Sequence, residues 1–363
     1  MLELLSASVI SLVVLSFVIF FHELGHFLTG RWNKVKIEVF SIGFGPELFG
    51  FWDRHQTRWK VSAIPLGGYV KFLRDFDISG DSTGTGALDR KALWQRAMII
   101  AAGPISNLIL AIFVLTIKFM IYGETKVPPI VDTVLYQSAA QDAGIQSGDR
   151  IIQVDGHPID SFSDILNITS VSSDKDLMFK LLRDGKVVSI LLTPRMMERI
   201  DSLGNKYNVS LIGISVNTSL HASETIQYGF LSATKRSFIE VFLLLYRTYN
   251  FLCELVEGKQ RLSDFRGPIG IGQLTSQVVM KFELSQILTL IAFISVNIGV
   301  FNLLPIPMLD GGYLFFYLIE AIQGQALNIK TQEVALKIGL IVLGAFTLFC
   351  TFNDFIRIIG NSS

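Results

Sequence analysis

The sequence predicts an α-helical polytopic membrane protein of about four transmembrane helices, with a membrane-associated β-hairpin and an inserted extracytoplasmic α+β module. Three observations predict it. Half of the 363 residues are hydrophobic and only 17% are charged, the balance of a membrane protein rather than of a soluble enzyme. Four apolar runs approach the roughly twenty residues that cross a hydrocarbon core about 30 Å thick. Between the second and third of these lies a segment of short alternating strands and glycine turns. A formal net charge of zero gives no electrostatic basis for binding nucleic acid. Cys253 and Cys350 are far apart, so neither a disulfide framework nor a zinc ribbon is expected.

The first run, Leu4–Phe21, has no basic region before it and no small-residue cleavage site after it, and is expected to be a retained span rather than a signal peptide. The second, Ala97–Ile117, opens with Ala101-Ala102-Gly103-Pro104 and the polar pair Ser106 and Asn107. The third, Leu284–Leu309, carries no charge until Asp310, and the fourth, roughly Val334–Phe352, is interrupted by Lys337. Basic residues between the first two spans, Arg31, Lys34, Lys36, Arg54 and Arg58 among them, outnumber the acids there, which assigns that segment to the cytoplasm. The N-terminus and the stretch from about Tyr122 to Glu283 then face outward. The expected parts are residues 1–121, 122–217, 218–283 and 284–363.

The chemistry is concentrated where the first run ends, at Phe21-His22-Glu23-Leu24-Gly25-His26. Histidines at i and i+4 of one helix project from nearly the same face and can share one tetrahedral zinc. Glu23 can reach a zinc-activated water without occupying a ligand position, which is the content of the His-Glu-x-x-His pattern. On a surface helix such a match arises by chance; on a helix this apolar, ionisable residues are costly and point to function. A catalytic zinc keeps three protein ligands and one open position. The intramembrane candidate for the third is Asp310, which ends Asn302-Leu303-Leu304-Pro305-Ile306-Pro307-Met308-Leu309-Asp310-Gly311-Gly312. A lone aspartate at the end of a span is more often a helix-end residue facing headgroups. Here its span and the first run in the same direction, so Asp310 and the histidines meet at similar depth.

After the histidines, Trp59–Pro65 reads as a strand, and Gly67-Gly68-Tyr69-Val70-Lys71-Phe72 resumes it after a glycine turn. Such a hairpin can be an ordinary cytoplasmic one, or can dip into the membrane edge if its backbone is covered; its free edge can take an extended substrate as an added strand. Ser79–Gly86 reads as a flexible loop. Further on, Ser138–Ile159 reads as helix, glycine turn, strand and a tight Asp-Gly turn. A helix at Ser163–Thr169 follows, then strands at Leu177–Leu182 and Val187–Leu192. This order resembles a PDZ domain of the kind associated with bacterial proteases, whose peptide-binding strand comes last. The resemblance implies that Val209–Val216 is that strand, with Ile212-Gly213-Ile214 taking a peptide C-terminus or an extended segment. His157 belongs to a surface turn. Thr225–Leu255 has charges recurring too often for a span and fits an amphipathic helix on the membrane surface. Gly267–Ile271 reads as a turn.

The two motifs, His22-Glu23-x-x-His26 and Asn302-x-x-Pro305-x-Pro307-x-Leu309-Asp310-Gly311-Gly312, bracket this module. Over essentially the whole chain the sequence resembles the site-2 protease family of intramembrane zinc metalloproteases (peptidase M50), and most of all its bacterial regulator-of-sigma-E type. The resemblance implies a multi-pass protein of the bacterial inner membrane that binds one zinc ion through His22, His26 and Asp310. Glu23 is then the catalytic base, and Asn302 with Gly67, Gly68, Tyr69 and Val70 helps to hold the substrate. It implies cleavage, within the bilayer, of a transmembrane protein already trimmed by another protease, such as an anti-sigma factor. The best-known bacterial members carry two tandem PDZ domains, where one is read here, so simpler substrate screening is expected. A non-proteolytic PDZ-bearing scaffold or chaperone is the alternative, and would have no use for the intact set of four polar residues.

Overall fold

The computed structural model describes residues 2–73, 86–170, 172, 175–200, 206–216, 224–257 and 283–360. Among them are helices α1 (Leu2–Trp32), α2 (Leu93–Ile121), α3 (Ala139–Asp142), α4 (Phe162–Ser170), α5 (Phe230–Val256), α6 (Leu284–Leu303), α7 (Asp310–Gln323) and α8 (Ile329–Gly360). Stretches of α1 (Ile10–Trp32), α2, α6 and α8 (Lys330–Ile356) are long and apolar enough to cross a membrane. Large apolar side chains such as Ile341 and Leu348 on α8 are about 70% exposed, which a soluble surface does not sustain over such a length but lipid does. The chain forms two compact units. One is built from the residues up to Lys118 together with Phe230–Ile356, the other from Phe119–Gly229 with the chain from Arg357 onward.

In the first unit, α1 runs unbroken past the expected end of its apolar run at Phe21, so the histidine turn lies inside the helix. It closes at Lys34, whose φ is 57°, with Val35 N–H donating to Gly30 O and Lys34 N–H to Arg31 O, both 2.9 Å. Those paired bonds satisfy the last carbonyls of the helix. Val18, Leu110 and Val114 pack with Phe21, Leu288, Ile291 and Ile298, joining α1, α2 and α6. The third span differs from the expectation that it would run to Leu309. It stops at Leu303, because Pro305 and Pro307 remove donors and fix φ, and Asp310 opens a new helix instead of ending the old one. A carboxylate in the first turn of a helix is favoured by the partial positive charge there.

Strands β1 (Ile37–Trp52) and β2 (Arg58–Phe72) are longer than a simple hairpin requires, and each bends in its middle. Phe40 lies opposite Val70 on one side and Trp59 on the other, while Gly50 and Phe51 lie opposite Lys60 and Trp59. The order of segments across the sheet is therefore 47–52, 58–62, 37–42, 68–72. Gly67 makes the second bend, with a φ of 121°, and a side chain there would overlap the ring of Phe44. Phe27, Ile37 and Phe40 bury the sheet against α1, with Phe20, Leu24, Trp59, Val70 and Phe72 around them. Helix α5 lies beside α2 and α6, through Thr116 Oγ1–H to Ser237 Oγ at 3.2 Å and Thr248 Oγ1–H to Asn297 Oδ1 at 3.3 Å. Residues 79–85 of the expected loop and all of Gly267–Ile271 lie outside the described residues.

The second unit holds the short strands β3 (Glu124–Lys126), β4 (Thr133–Val134), β5 (Arg150–Val154), β6 (His157–Pro158), β7 (Leu177–Arg183), β8 (Lys186–Leu192), β9 (Arg195–Ile200), β10 (Lys206–Leu211), β11 (Ile214–Ser215) and β12 (Glu224–Ile226). A four-stranded sheet in the order β6-β5-β7-β8 buries Ile151, Val154, Phe179 and Leu181 under Ile165 of α4 and Ala139 and Ala140 of α3. His157 is exposed. The single strand expected over Val209–Val216 is broken: β10 pairs with β9, and β11 pairs with β4. Gly213, at φ 84°, turns the chain between them, and Ser138 occupies the space a side chain there would need.

Asp149, with a side chain only 1% exposed, receives two hydrogen bonds from Arg183, at 2.7 and 2.6 Å, and one from the Gln146 N–H at 2.8 Å. Burial alone would raise its pKa, but these donors outweigh it and hold the carboxyl below its ordinary value. A depressed value stabilises the fold above the ordinary carboxylate range and loses that stabilisation as pH falls below about 4. Arg183→Ala is expected to cost about 1–3 kcal/mol at neutral pH and to flatten this acid dependence. Hydrogen exchange at the amides of β5 and β7, in the detergent-solubilised full chain, measures both effects.

Candidate metal centre

α1 presents His22 and His26 on one face, 7% and 6% exposed, with their rings edge to face at 4.9 Å. What lets them be buried is glycine on both helices. A methyl group on Gly25 would overlap the Ala102 carbonyl of α2, and one on Gly103 would overlap His26 Nε2 and the edge of His22. The helices therefore touch backbone to backbone, a contact strengthened by Ser106 Oγ–H donating to Phe21 O at 2.7 Å. Pro104 lies inside α2 and cannot donate to the preceding turn. In that turn the Ile99 carbonyl accepts a hydrogen bond from His26 Nδ1–H at 2.9 Å. That bond leaves Nε2 of His26 as the ring's lone-pair atom.

Asp310 is held from several sides. Gly311 and Gly312 sit so close to the carbonyls of Leu303, Leu304 and Ile306 that neither has room for a side chain, and Gly339 of α8 closes on Pro307 in the same way. Further along α7, Glu320 makes a two-pronged ion pair with Arg96 of α2. The result is that Asp310 Oδ2 lies 3.1 Å from His22 Nε2 and 3.3 Å from His26 Nε2, and the two Nε2 atoms lie 3.3 Å apart.

Those three separations are the test of whether a zinc ion fits. Bonds of about 2.0–2.1 Å in a tetrahedral arrangement put neighbouring ligand atoms about 3.3 Å apart. Asp310 Oδ2 is buried with no hydrogen-bond donor, although two ring nitrogens adjoin it. A cation among the three would be bound by the carboxylate oxygen and by both ring nitrogens at once. The donor set of two imidazoles and a carboxylate is one that zinc accepts, and among the described residues no fourth His, Cys, Asp or Glu joins the group.

Glu23 follows His22 directly, on the side of α1 that faces the sheet. Its carboxylate lies near the backbone of Val70, and its Cγ lies against Gly68, where a methyl group would sit 3.2 Å away. The segment 68–72 is an edge of the sheet, with no strand on its outer side among the described residues. A carboxylate is thus placed between the three converging donor atoms and a strand edge that has no neighbour among the described residues.

Residues 10–346 match peptidase family M50. The chain belongs to peptidase family M50. Among its relatives, one from Rhizobium meliloti that carries a provisional zinc-metalloprotease name is 38% identical over 355 residues, 94% of each chain. Another from Mesorhizobium japonicum, with the same kind of name, is 39% identical over 355 residues, 94% of this chain and 96% of its own. Metalloprotease MmpA of Caulobacter vibrioides is 34% identical over 378 residues, 95% of this chain and 94% of its own. With its four apolar helices, this M50 peptidase is a membrane zinc metalloprotease.

The M50 chain brings Gly67, Gly68, Tyr69 and Val70 to the strand edge beside Glu23. Tyr69 points to the other face, stacked on Phe44 at 6.0 Å with Lys60 over its ring. Asn302 is half-buried in the last turn of α6. Ile212, Gly213 and Ile214 belong to the second unit, where the Ile212 and Gly213 carbonyls accept from Ala140 and Leu135 N–H, both at 2.8 Å. Sequence reasoning gave no role to Ile99, Gly103 or Asn107, which contact the histidines from α2. The signal was present in the polar Ser106-Asn107 pair and the Gly-Pro step at the head of an apolar span, since polar groups at membrane depth carry a cost that function must justify.

Gly103→Ala is expected to push the imidazoles apart and lower zinc occupancy of the purified protein at least tenfold, with helical content retained. Elemental analysis together with circular dichroism checks it, and full zinc occupancy in that variant would contradict the packing described.

Proposed function

We propose that this chain is an intramembrane zinc endopeptidase of regulated intramembrane proteolysis. It hydrolyses a peptide bond in the transmembrane segment of a single-span protein that another protease has already trimmed, such as an anti-sigma factor. The observation that carries this reading is the agreement of the three donor separations, 3.1, 3.3 and 3.3 Å, with the edge of a zinc tetrahedron. His22 and His26 lie on a helix apolar enough to lie in a bilayer, and Asp310, at the start of α7, is brought to them.

In this reading His22, His26 and Asp310 hold the metal, which when bound supplies the Lewis acidity that polarises a carbonyl and brings the pKa of water to about 7. Glu23 takes the proton from the attacking water and returns it to the leaving amine nitrogen. Its carboxylate stands beside the strand edge at Gly68 and Val70. A peptide bond within a helix is shielded by its own hydrogen bonds, so the substrate must first unwind. Pairing with the outer edge of Gly67–Val70 keeps it extended and satisfies its backbone away from water. Asn302 helps to hold the same segment from the end of α6.

The second unit serves as a PDZ domain that screens substrates by binding a peptide C-terminus or extended segment at Ile212-Gly213-Ile214. The excess of basic residues between α1 and α2 supports an inner-membrane topology with the N-terminus and this module outside and the metal site toward the cytoplasm.

Co-expression with tail-trimmed single-span candidates tests the proposal. Glu23→Gln is expected to keep full zinc content while cleavage falls by about 10²-fold or more; undiminished turnover would remove Glu23 from the chemistry. Asp310→Ala is expected to lose zinc, and unchanged metal stoichiometry would exclude it as a ligand.

A further inference from the structure

We propose that Asn107 is a positioning residue for His22: its amide oxygen accepts the Nδ1–H of the imidazole and so fixes the tautomer whose Nε2 faces the metal. The inference rests on His22 being a metal ligand. Asn107 lies on α2, fully buried, with its amide nitrogen 3.2 Å from His22 Nδ1 and its amide oxygen without any partner. That assignment of the two amide ends sets a donor against Nδ1, so the ring's proton would have to sit on Nε2, where it would point at His26 Nε2 and Asp310 Oδ2. Three groups converging within 3.3 Å leave no room for it beside a metal ion. Oxygen and nitrogen of an asparagine amide are told apart only by their hydrogen bonds. Exchanging them puts the oxygen on Nδ1–H and leaves Nε2 a free lone pair.

The exchanged arrangement gives each histidine an anchor of the same kind on one helix. His26 Nδ1–H is held by the Ile99 carbonyl at 2.9 Å, and His22 Nδ1–H by the Asn107 amide two turns further along. Asn107 is itself held. Its own backbone carbonyl accepts from Ser295 Oγ–H of α6 at 2.8 Å, and Gly299 of α6 lets the helices approach at its Cβ. The amide therefore sits where three helices meet and cannot swing away from the ring. A metal-bound imidazole normally gives its other N–H to such an acceptor, and losing the acceptor typically weakens metal binding about 10–100-fold.

The test is zinc affinity of the detergent-solubilised full chain, measured by competition with a chromophoric chelator using Zn²⁺ alone. Asn107→Leu, close in volume but unable to accept, is expected to weaken zinc binding about 10–100-fold with unchanged helical content; Asn107→Val serves if the leucine variant does not fold. Asn107→Asp, which can still accept, is expected to stay within about threefold of wild type. Wild-type affinity in the apolar variant, or equal losses in the apolar variant and in Asn107→Asp, would overturn the proposal. His22→Ala is the separating control: if it too leaves zinc affinity unchanged, the ligand assignment fails rather than the role of Asn107.

Discussion

The site depends on how closely α1 and α2 approach. Two helices whose faces carry ordinary side chains pack with axes about 8–10 Å apart, their backbones separated by those side chains. Gly25 and Gly103 remove the intervening side chains, so the Ala102 carbonyl meets the backbone of α1 and Gly103 lies under both imidazoles. The same closeness lets Ile99 and Asn107 reach the two Nδ1 atoms. Small residues at helix contacts are the membrane solution, because lipid tails offer no hydrophobic drive to bring helices together and van der Waals contact has to do it.

Around that contact the fold supplies one element for each remaining need. The proline-broken loop after α6 and the start of α7 deliver a carboxylate to the rings, and glycines at 311, 312 and 339 let the loop be clamped from both sides. The bent sheet delivers an open strand edge to Glu23, and its hold on α1 is a cluster of aromatic rings, with Phe40 and Trp59 stacked at 4.2 Å. The ion pair of Arg96 with Glu320, with side chains only 12% and 16% exposed, ties the helix of the third donor to the helix that carries the anchors of the first two. The two histidines and Glu23 thus come from α1, the carboxylate of Asp310 from α7 and the strand edge from the sheet, with α2 packed against the rings.

The four apolar helices were legible from length and hydropathy, and the pairing of His22 with His26 from helical periodicity, because both are local properties of the chain. Asp310 was legible as well, as a lone charge closing an apolar run. Its setting was not. A run of apolar residues does not show where two prolines will end one helix and let another begin, so α6 stops at Leu303 rather than at Leu309. The bend that folds two strands into four segments was hidden for a similar reason: Phe40 has neighbours on both sides, one of them from a segment that sequence reasoning treated only as a continuation.

The sequence by itself determined the two imidazoles and the carboxylate, the i and i+4 spacing of the histidines and the apolar surroundings, since these follow from residue identity and the 3.6-residue helical repeat. Only the tertiary structure decided that a carboxylate 284 positions after His26 would stand within 3.3 Å of it, and that a glycine and an asparagine of α2 would be the groups beneath the rings. Those placements depend on how closely separate helices pack, and packing is set by side-chain volume at contacts between residues that are distant in the chain.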